Sequence, residues 1–164
     1  MKKNLVALVM LFSSILALGM SAPARAEGTS KNYIGPAVLF GGGSTNFAVD
    51  SKFGVSDNLS LRPFVAFGNG ATVFGSSLTY DFNLSNSSGG GTLGERTQVT
   101  PFVGGGVFIA SGGNNNTNNN TLGYFTGGAD FDVTENVTLK AELDIPFTGG
   151  NTSTLVRLGA GFKF

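Results

Sequence analysis

Asp130 and Asp132, and again Glu142 and Asp144, are carboxylates two residues apart. In an extended chain that spacing puts both members of a pair on one face. Two carboxylates sharing a face are the minimum equipment for general acid and base work on a glycosidic bond. The competing reading is an ion-pair network. It is favoured because Lys140 and Arg157 share the face of the second pair. Gly41-Gly42-Gly43-Ser44-Thr45 and Gly89-Gly90-Gly91 share only their glycine content with phosphate-cradling loops. They lack the Lys and the following helix such loops need. The run Asn114-Asn115-Asn116-Thr117-Asn118-Asn119-Asn120 offers amides to a cation or a sugar, but its composition is that of a solvated loop. The chain has no His and no Cys. That excludes Ser-His-Asp triads, thiolate nucleophiles, imidazole or thiolate metal sites, disulfides and iron–sulfur clusters. A formal net charge of zero offers no basic face for nucleic acid. The expectation is therefore no catalytic residue, no cofactor and no metal site.

The elements that position these residues are strands. No window beyond residue 26 sustains a period of 3.6, whereas period-2 alternation recurs. It is cleanest at 137–147. Val137, Leu139, Ala141, Leu143, Ile145 and Phe147 alternate there with Thr138, Lys140, Glu142, Asp144 and Pro146. The last segment repeats it, with Val156, Leu158, Ala160, Phe162 and Phe164 against Arg157, Gly159, Gly161 and Lys163. Such runs predict eight strands, at about 32–42, 47–55, 59–68, 72–84, 98–111, 122–133, 137–147 and 154–164. The weakest is 98–111, where Gly104-Gly105-Gly106 interrupts the pattern. The turns Ser56-Asp57-Asn58 and Thr134-Glu135-Asn136 are short; Gly, Asn and Ser fill the connections 85–97 and 112–121. Phe53 to Arg62 echoes Phe131 to Lys140 at an offset of 78, so two hairpins are expected to do the same structural job.

Residues 1–26 have the layout of a secretory signal. Lys2 and Lys3 precede an apolar run from Leu5 to Met20, and Ala24-Arg25-Ala26 supplies small residues for cleavage before Glu27. The 16-residue run falls short of the ~20 residues that span a bilayer as a helix. The mature chain would be 27–164, with 138 residues, seven basic and ten acidic side chains. Eleven of those 17 charges fall on the polar parity of a strand: Asp50, Lys52, Arg62, Asp81, Asp130, Asp132, Lys140, Glu142, Asp144, Arg157 and Lys163. The other six lie in the N-terminal lead or in turns. An Arg or Lys facing lipid at mid-membrane costs about 2–4 kcal/mol, so clean apolar faces suit a membrane barrel. A soluble barrel would need a more heavily charged exterior.

The end of the chain, Arg157-Leu158-Gly159-Ala160-Gly161-Phe162-Lys163-Phe164, resembles the C-terminal assembly signal of bacterial outer-membrane barrels. Gly159, Phe162 and Phe164 carry that signal. With the leader and eight alternating strands, the mature chain resembles the small eight-stranded barrels of the opacity-protein and OmpA/OmpX-like, porin-type group, in its stand-alone form. The resemblance implies an all-β, eight-stranded antiparallel up-and-down transmembrane barrel in the outer membrane of a Gram-negative cell envelope. The partners it implies are outer-membrane lipid and, during biogenesis, the barrel assembly machinery and periplasmic chaperones; the protein is expected to be a monomer. The implied role is structural or surface-interacting, with a lumen plugged by Asp50, Lys52, Arg62, Asp130, Lys140, Glu142, Asp144 and Arg157. Lipid-modifying barrels that use Ser and His are excluded by the absence of His. The alternatives are a soluble periplasmic lipocalin-like carrier, or a lipid-modifying enzyme using a carboxylate.

Topology then assigns sides. Turns 56–58, 85–97 and 134–136 would face the periplasm with both termini, and loops 43–46, 69–71, 112–121 and 148–153 the outside. If 134–136 is a three-residue turn, Val133 pairs with Val137 and Asp130 stands opposite Lys140. The echoed hairpin then sets Lys52 opposite Arg62, with Asp50 lying diagonally between them to offset the repulsion. Asp144 would face Arg157 if the last hairpin is centred on Gly150-Asn151.

Overall fold

The alternating segments fold as eight strands in a computed structural model that describes residues 32–68, 71–82, 98–112, 121–147 and 153–164. They are β1 (Tyr33–Gly41), β2 (Ser44–Ser56), β3 (Leu59–Gly68), β4 (Ala71–Asp81), β5 (Gln98–Gly112), β6 (Thr121–Asp132), β7 (Val137–Pro146) and β8 (Leu155–Lys163). Each pairs antiparallel with the next, and β8 returns to pair with β1, closing a barrel. Closure leaves no unpaired sheet edge, the condition a sheet must meet inside a bilayer. The expected up-and-down barrel is the observed one. The leader, the whole of the connection 85–97 and the Asn-rich run fall outside the described residues.

Two strands differ from expectation for local reasons. The first loop, expected at 43–46, is a two-residue turn at Gly42-Gly43, so β2 starts at Ser44 and Gly41 pairs with Ser44. Gly42 and Gly43 have φ of 60° and 77°. That left-handed pair turns a hairpin in step with the twist of its strands, and glycine takes it without steric cost. The triple glycine does not interrupt β5, which is the longest strand at 15 residues. Its register runs unbroken from Phe102 to Gly112 against β4 and from Gln98 to Ile109 against β6. Gly106 serves a packing need: a Cβ there would lie 2.7 Å from Cζ of Tyr124.

The echoed hairpins β2–β3 and β6–β7 both turn at the end of the barrel that holds the chain termini. In the second, Val133 N–H donates to Val137 O at 3.0 Å, and Asp130 stands opposite Lys140 as expected. In the first, Asp50 pairs with Phe64 and Phe53 with Leu61, which puts Lys52 opposite Arg62. The last hairpin is shifted by two residues from expectation. Arg157 stands opposite Glu142, and Asp144 opposite Leu155.

One parity of every strand points inward. Leu39, Ala48, Phe64, Ala66, Phe108 and Tyr124 are buried together in the half of the lumen away from the termini. The other parity is mostly apolar and mostly exposed; Ser51, Phe53 and Pro63 are buried on it. Phe40, Phe47, Phe67, Phe125 and Phe147 lie towards the end away from the termini, and Tyr80, Phe82, Phe162 and Phe164 towards the end with them. Leu78, Val103, Val107, Leu139, Leu143 and Leu158 are exposed between these two rims.

Candidate functional site

The charges on the polar parity converge inside the barrel in three groups. In the first, the like charges Lys52 and Arg62 are held by Asp81 and Asp130. Lys52 Nζ lies 2.7 Å from Asp81 and 3.0 Å from Asp130. Arg62 Nη2 lies 3.0 Å from Asp81 and 2.9 Å from Asp130. Around them Ser60 Oγ donates to Asp81, Tyr33 Oη donates to Asp130, and Arg62 Nε donates to Thr79. Arg62 also sits over the Phe102 ring, 3.6 Å from its centroid. Two cations and two carboxylates make this group neutral.

The second group lies further from the termini. Lys140 Nζ pairs with Asp50, and with Glu142 at 2.7 Å. Arg157 Nη2 holds Glu142 at 2.8 Å and Asp144 at 2.7 Å, while Nη1 reaches Asp50 at 3.4 Å. Thr126 Oγ1 donates to Glu142, and Arg157 lies over the Phe64 ring at 3.8 Å. This group holds three carboxylates against two cations. The third is a pair at the terminal rim, Lys163 with Asp132 at 2.9 Å, where Thr138 Oγ1 also donates to Asp132.

The eight lumenal residues expected from the sequence are all buried. Their partners differ from expectation in three respects. Asp50 does not lie between Lys52 and Arg62; it pairs with Lys140 and Arg157, and Asp81 and Asp130 neutralise the like charges instead. Asp130 and Lys140 are opposite in register yet bind different groups. Asp130 reaches across the lumen to β2 and β3, and Lys140 reaches to Asp50 on β2. Asp144 meets Arg157 as expected, but diagonally. The physical reason is the same throughout. An eight-stranded barrel is narrow enough for long side chains to meet across the axis, so the cross-strand neighbour is not the only candidate.

The carboxylate pairs do not present themselves as an acid and a base. Asp130 and Asp132 belong to different groups, and Glu142 and Asp144 share one guanidinium nitrogen. Sequence reasoning left Asp81 out of the network although its parity was polar. It also missed Tyr33, because β1 is apolar on both faces and gives no inward signal. Glycines opposite the rings were the available clue: a Cβ on Gly161 would strike the Tyr33 ring, one on Gly75 the Phe64 ring, and one on Gly128 would lie 2.8 Å from Phe102 Cζ.

The residues of the expected assembly signal lie on or just past the closing strand. Gly159 faces inward, where a Cβ would lie 3.1 Å from Ala37 Cβ. Phe162 and Phe164 are exposed outside, Phe164 with its ring edge-on to Phe53 at 6.4 Å.

No protein-family model and no curated protein matches the chain. Solved structures do. A de novo designed transmembrane β-barrel superposes with a TM-score of 0.62 at 15% identity, covering 85% of this chain and all of that one. The N-terminal β-barrel domain of Pseudomonas aeruginosa OprF gives 0.59 at 17% identity, covering 84% of this chain and all of that one. The designed barrel TMB2.3 gives 0.60 at 10% identity, covering 85% and 98%. The fold is that of eight-stranded transmembrane β-barrels.

Proposed function

We propose that this chain is an integral outer-membrane β-barrel protein of a diderm bacterium, with a structural or surface-interaction role and a lumen plugged by side chains. The observation that carries the proposal is the inside-out placement of polarity. Ionised side chains lie within, and an apolar band between two aromatic rims lies without. In water such an exterior would be an aggregation surface. In a bilayer it is the apolar wall with aromatic girdles that spanning barrels present to lipid. Arg62, Arg157 and Tyr124 have no exposed surface, which supports a plugged lumen over a diffusion pore. A lipocalin-like carrier needs an apolar interior, and two buried arginines at its centre speak against that reading. Prior engagement of both carboxylate pairs speaks against a lipid-modifying enzyme. The proposed partners are outer-membrane lipid and, before insertion, the assembly machinery and chaperones, with the barrel a monomer.

Fractionation tests the proposal. The protein should resist osmotic shock, dissolve only with detergent and migrate differently in boiled and unboiled gel lanes. Its intact mass should start at Glu27. Release by osmotic shock, or a mass retaining Leu5 to Met20, would sink it.

Neighbouring positions on β7 should differ in tolerance. Leu143 faces outward, so Leu143→Arg should cost about 2–4 kcal/mol in lipid if it lies at the midplane. Thr138 is buried, but Thr138→Ser keeps the hydroxyl that binds Asp132 and should be nearly silent. Comparable losses from both, measured by unfolding in lipid, would contradict the lipid-facing assignment.

Phe164 is proposed to act in assembly more than in packing, since its ring is two-thirds exposed. Deleting it should leave degraded or periplasmic protein with little inserted barrel. Insertion of a chain ending at Lys163 at the normal level would reject the end signal while leaving the barrel reading intact.

A further inference from the structure

Glu142 and Asp144 lie two residues apart on the inner face of β7, 2% and 1% exposed. Arg157 Nη2 gives one hydrogen to each, at 2.8 Å to Glu142 Oε1 and 2.7 Å to Asp144 Oδ2. Glu142 receives two more, from Lys140 Nζ at 2.7 Å and from Thr126 Oγ1 at 2.7 Å. The two carboxyl groups also lie within hydrogen-bonding reach of each other, and Asp144 within reach of the Thr126 hydroxyl. Asp50 on β2 completes the acidic side chains of the group.

A count of hydrogens separates the two acids. A hydroxyl carries one hydrogen, and an ionised carboxylate carries none. The Thr126 hydrogen goes to Glu142, so towards Asp144 Thr126 presents only lone pairs. A Glu142 carboxylate presents only lone pairs as well. Asp144 therefore meets one donor, Arg157, and two acceptors. An ionised Asp144 would set acceptor against acceptor twice at a buried position, whereas a protonated one donates its O–H to a neighbour. The charges agree. The first group and the rim pair are balanced, two against two and one against one, while the second holds three acids against two cations. One proton balances it too, and two carboxyl groups in contact do not both ionise at low cost. A metal ion would need oxygens arranged around it, and no acidic cluster among the described residues has that arrangement. We propose that Glu142 and Asp144 form a proton-binding site in the lumen. Asp144 carries the hydrogen, taken from solvent as folding brings the two acids together. Glu142 stays the carboxylate bound by Lys140, Arg157 and Thr126. The site is structural and not catalytic, since neither carboxyl is open to a substrate.

Infrared spectra of the refolded barrel at pH 7, in a detergent without ester groups, test this. The wild type should show the C=O stretch of an un-ionised carboxylic acid, shifting in heavy water. Asp144→Asn should lose that band yet keep the wild-type urea midpoint, because a carboxamide likewise accepts from Arg157 and donates to Glu142. Asp130→Asn is the contrast. Lys52, Arg62 and Tyr33 all donate to Asp130, so that substitution should lower the midpoint. The proposal is wrong if the wild type shows no such band, or if the band survives in Asp144→Asn. It is equally wrong if Asp144→Asn proves as damaging as Asp130→Asn, failure to fold included.

Discussion

Arg157→Met should strongly destabilise the barrel while leaving the chain able to reach the membrane. Arg157 is fully buried and touches Asp50, Glu142 and Asp144. Without it, three carboxylates face Lys140 alone. Taking one partner from a buried ion pair costs about 3–5 kcal/mol, because the charge left behind is neither solvated nor paired. Here the loss strands more than one carboxylate, so the upper end of that range is expected. The methionine fills comparable space over the Phe64 ring, which separates the charge effect from a cavity. Urea unfolding in detergent or lipid measures it, with the unboiled gel shift as a check on folding. A loss below about 1 kcal/mol would mean that water screens the group as it does a surface pair. Adding Glu142→Gln and Asp144→Asn to Arg157→Met should restore part of the loss, since the residual charge then falls to that of Asp50 and Lys140.

Lys140→Glu is expected to be nearly as damaging, and its rescue discriminates between two registers of charge. The strand pairing alone suggests Asp130→Lys as the compensating change, because Asp130 and Lys140 are opposite. The side chains say otherwise. Asp130 binds Lys52 and Arg62, so a lysine there would gather three cations at one point and deepen the defect. The compensating change is Asp50→Lys, which returns the second group to its original charge balance and rebuilds the Lys140–Asp50 pair in reverse. In a double-mutant cycle the Asp50→Lys pair should recover about 0.5–3 kcal/mol, the range of coupling between residues in direct contact. The Asp130→Lys pair should recover nothing. Equal rescue by both, or better rescue by Asp130→Lys, would show that the cross-lumen pairing is mistaken.

These two cases mark how far the sequence could be read. Period-2 alternation in β7 located the strand and the inward direction of Lys140, Glu142 and Asp144. The short turn at 134–136 even fixed the register with β6. Legibility ended where contacts leave the strand pair. Nothing in the spacing of Asp50 and Lys140, 90 residues apart, says that they meet, because the meeting depends on barrel diameter and stagger. β1 was opaque for a different reason. Its residues are apolar on both faces, Tyr33, Ala37 and Leu39 inside and Ile34 and Phe40 outside, so alternation is hidden. Gly104-Gly105-Gly106 looked like a break because glycine weakens strands in general. Here Gly106 leaves room for a ring.

The pairs that cross the lumen also bear on time. Lys52 and Arg62 on one wall meet Asp130 on the other, and Asp50 meets Lys140 and Arg157. Neither set can form while the sheet is still an open ribbon; the β1–β8 seam must first curl it. Energy gained after the rate-limiting step of closure does not speed closure, but it does slow reopening. In the Arg157→Met variant the lost stability should therefore surface in the unfolding rate, with the folding rate little changed. The lumenal charges would then act as a latch that engages late, so that a closed barrel persists far longer than its modest size suggests.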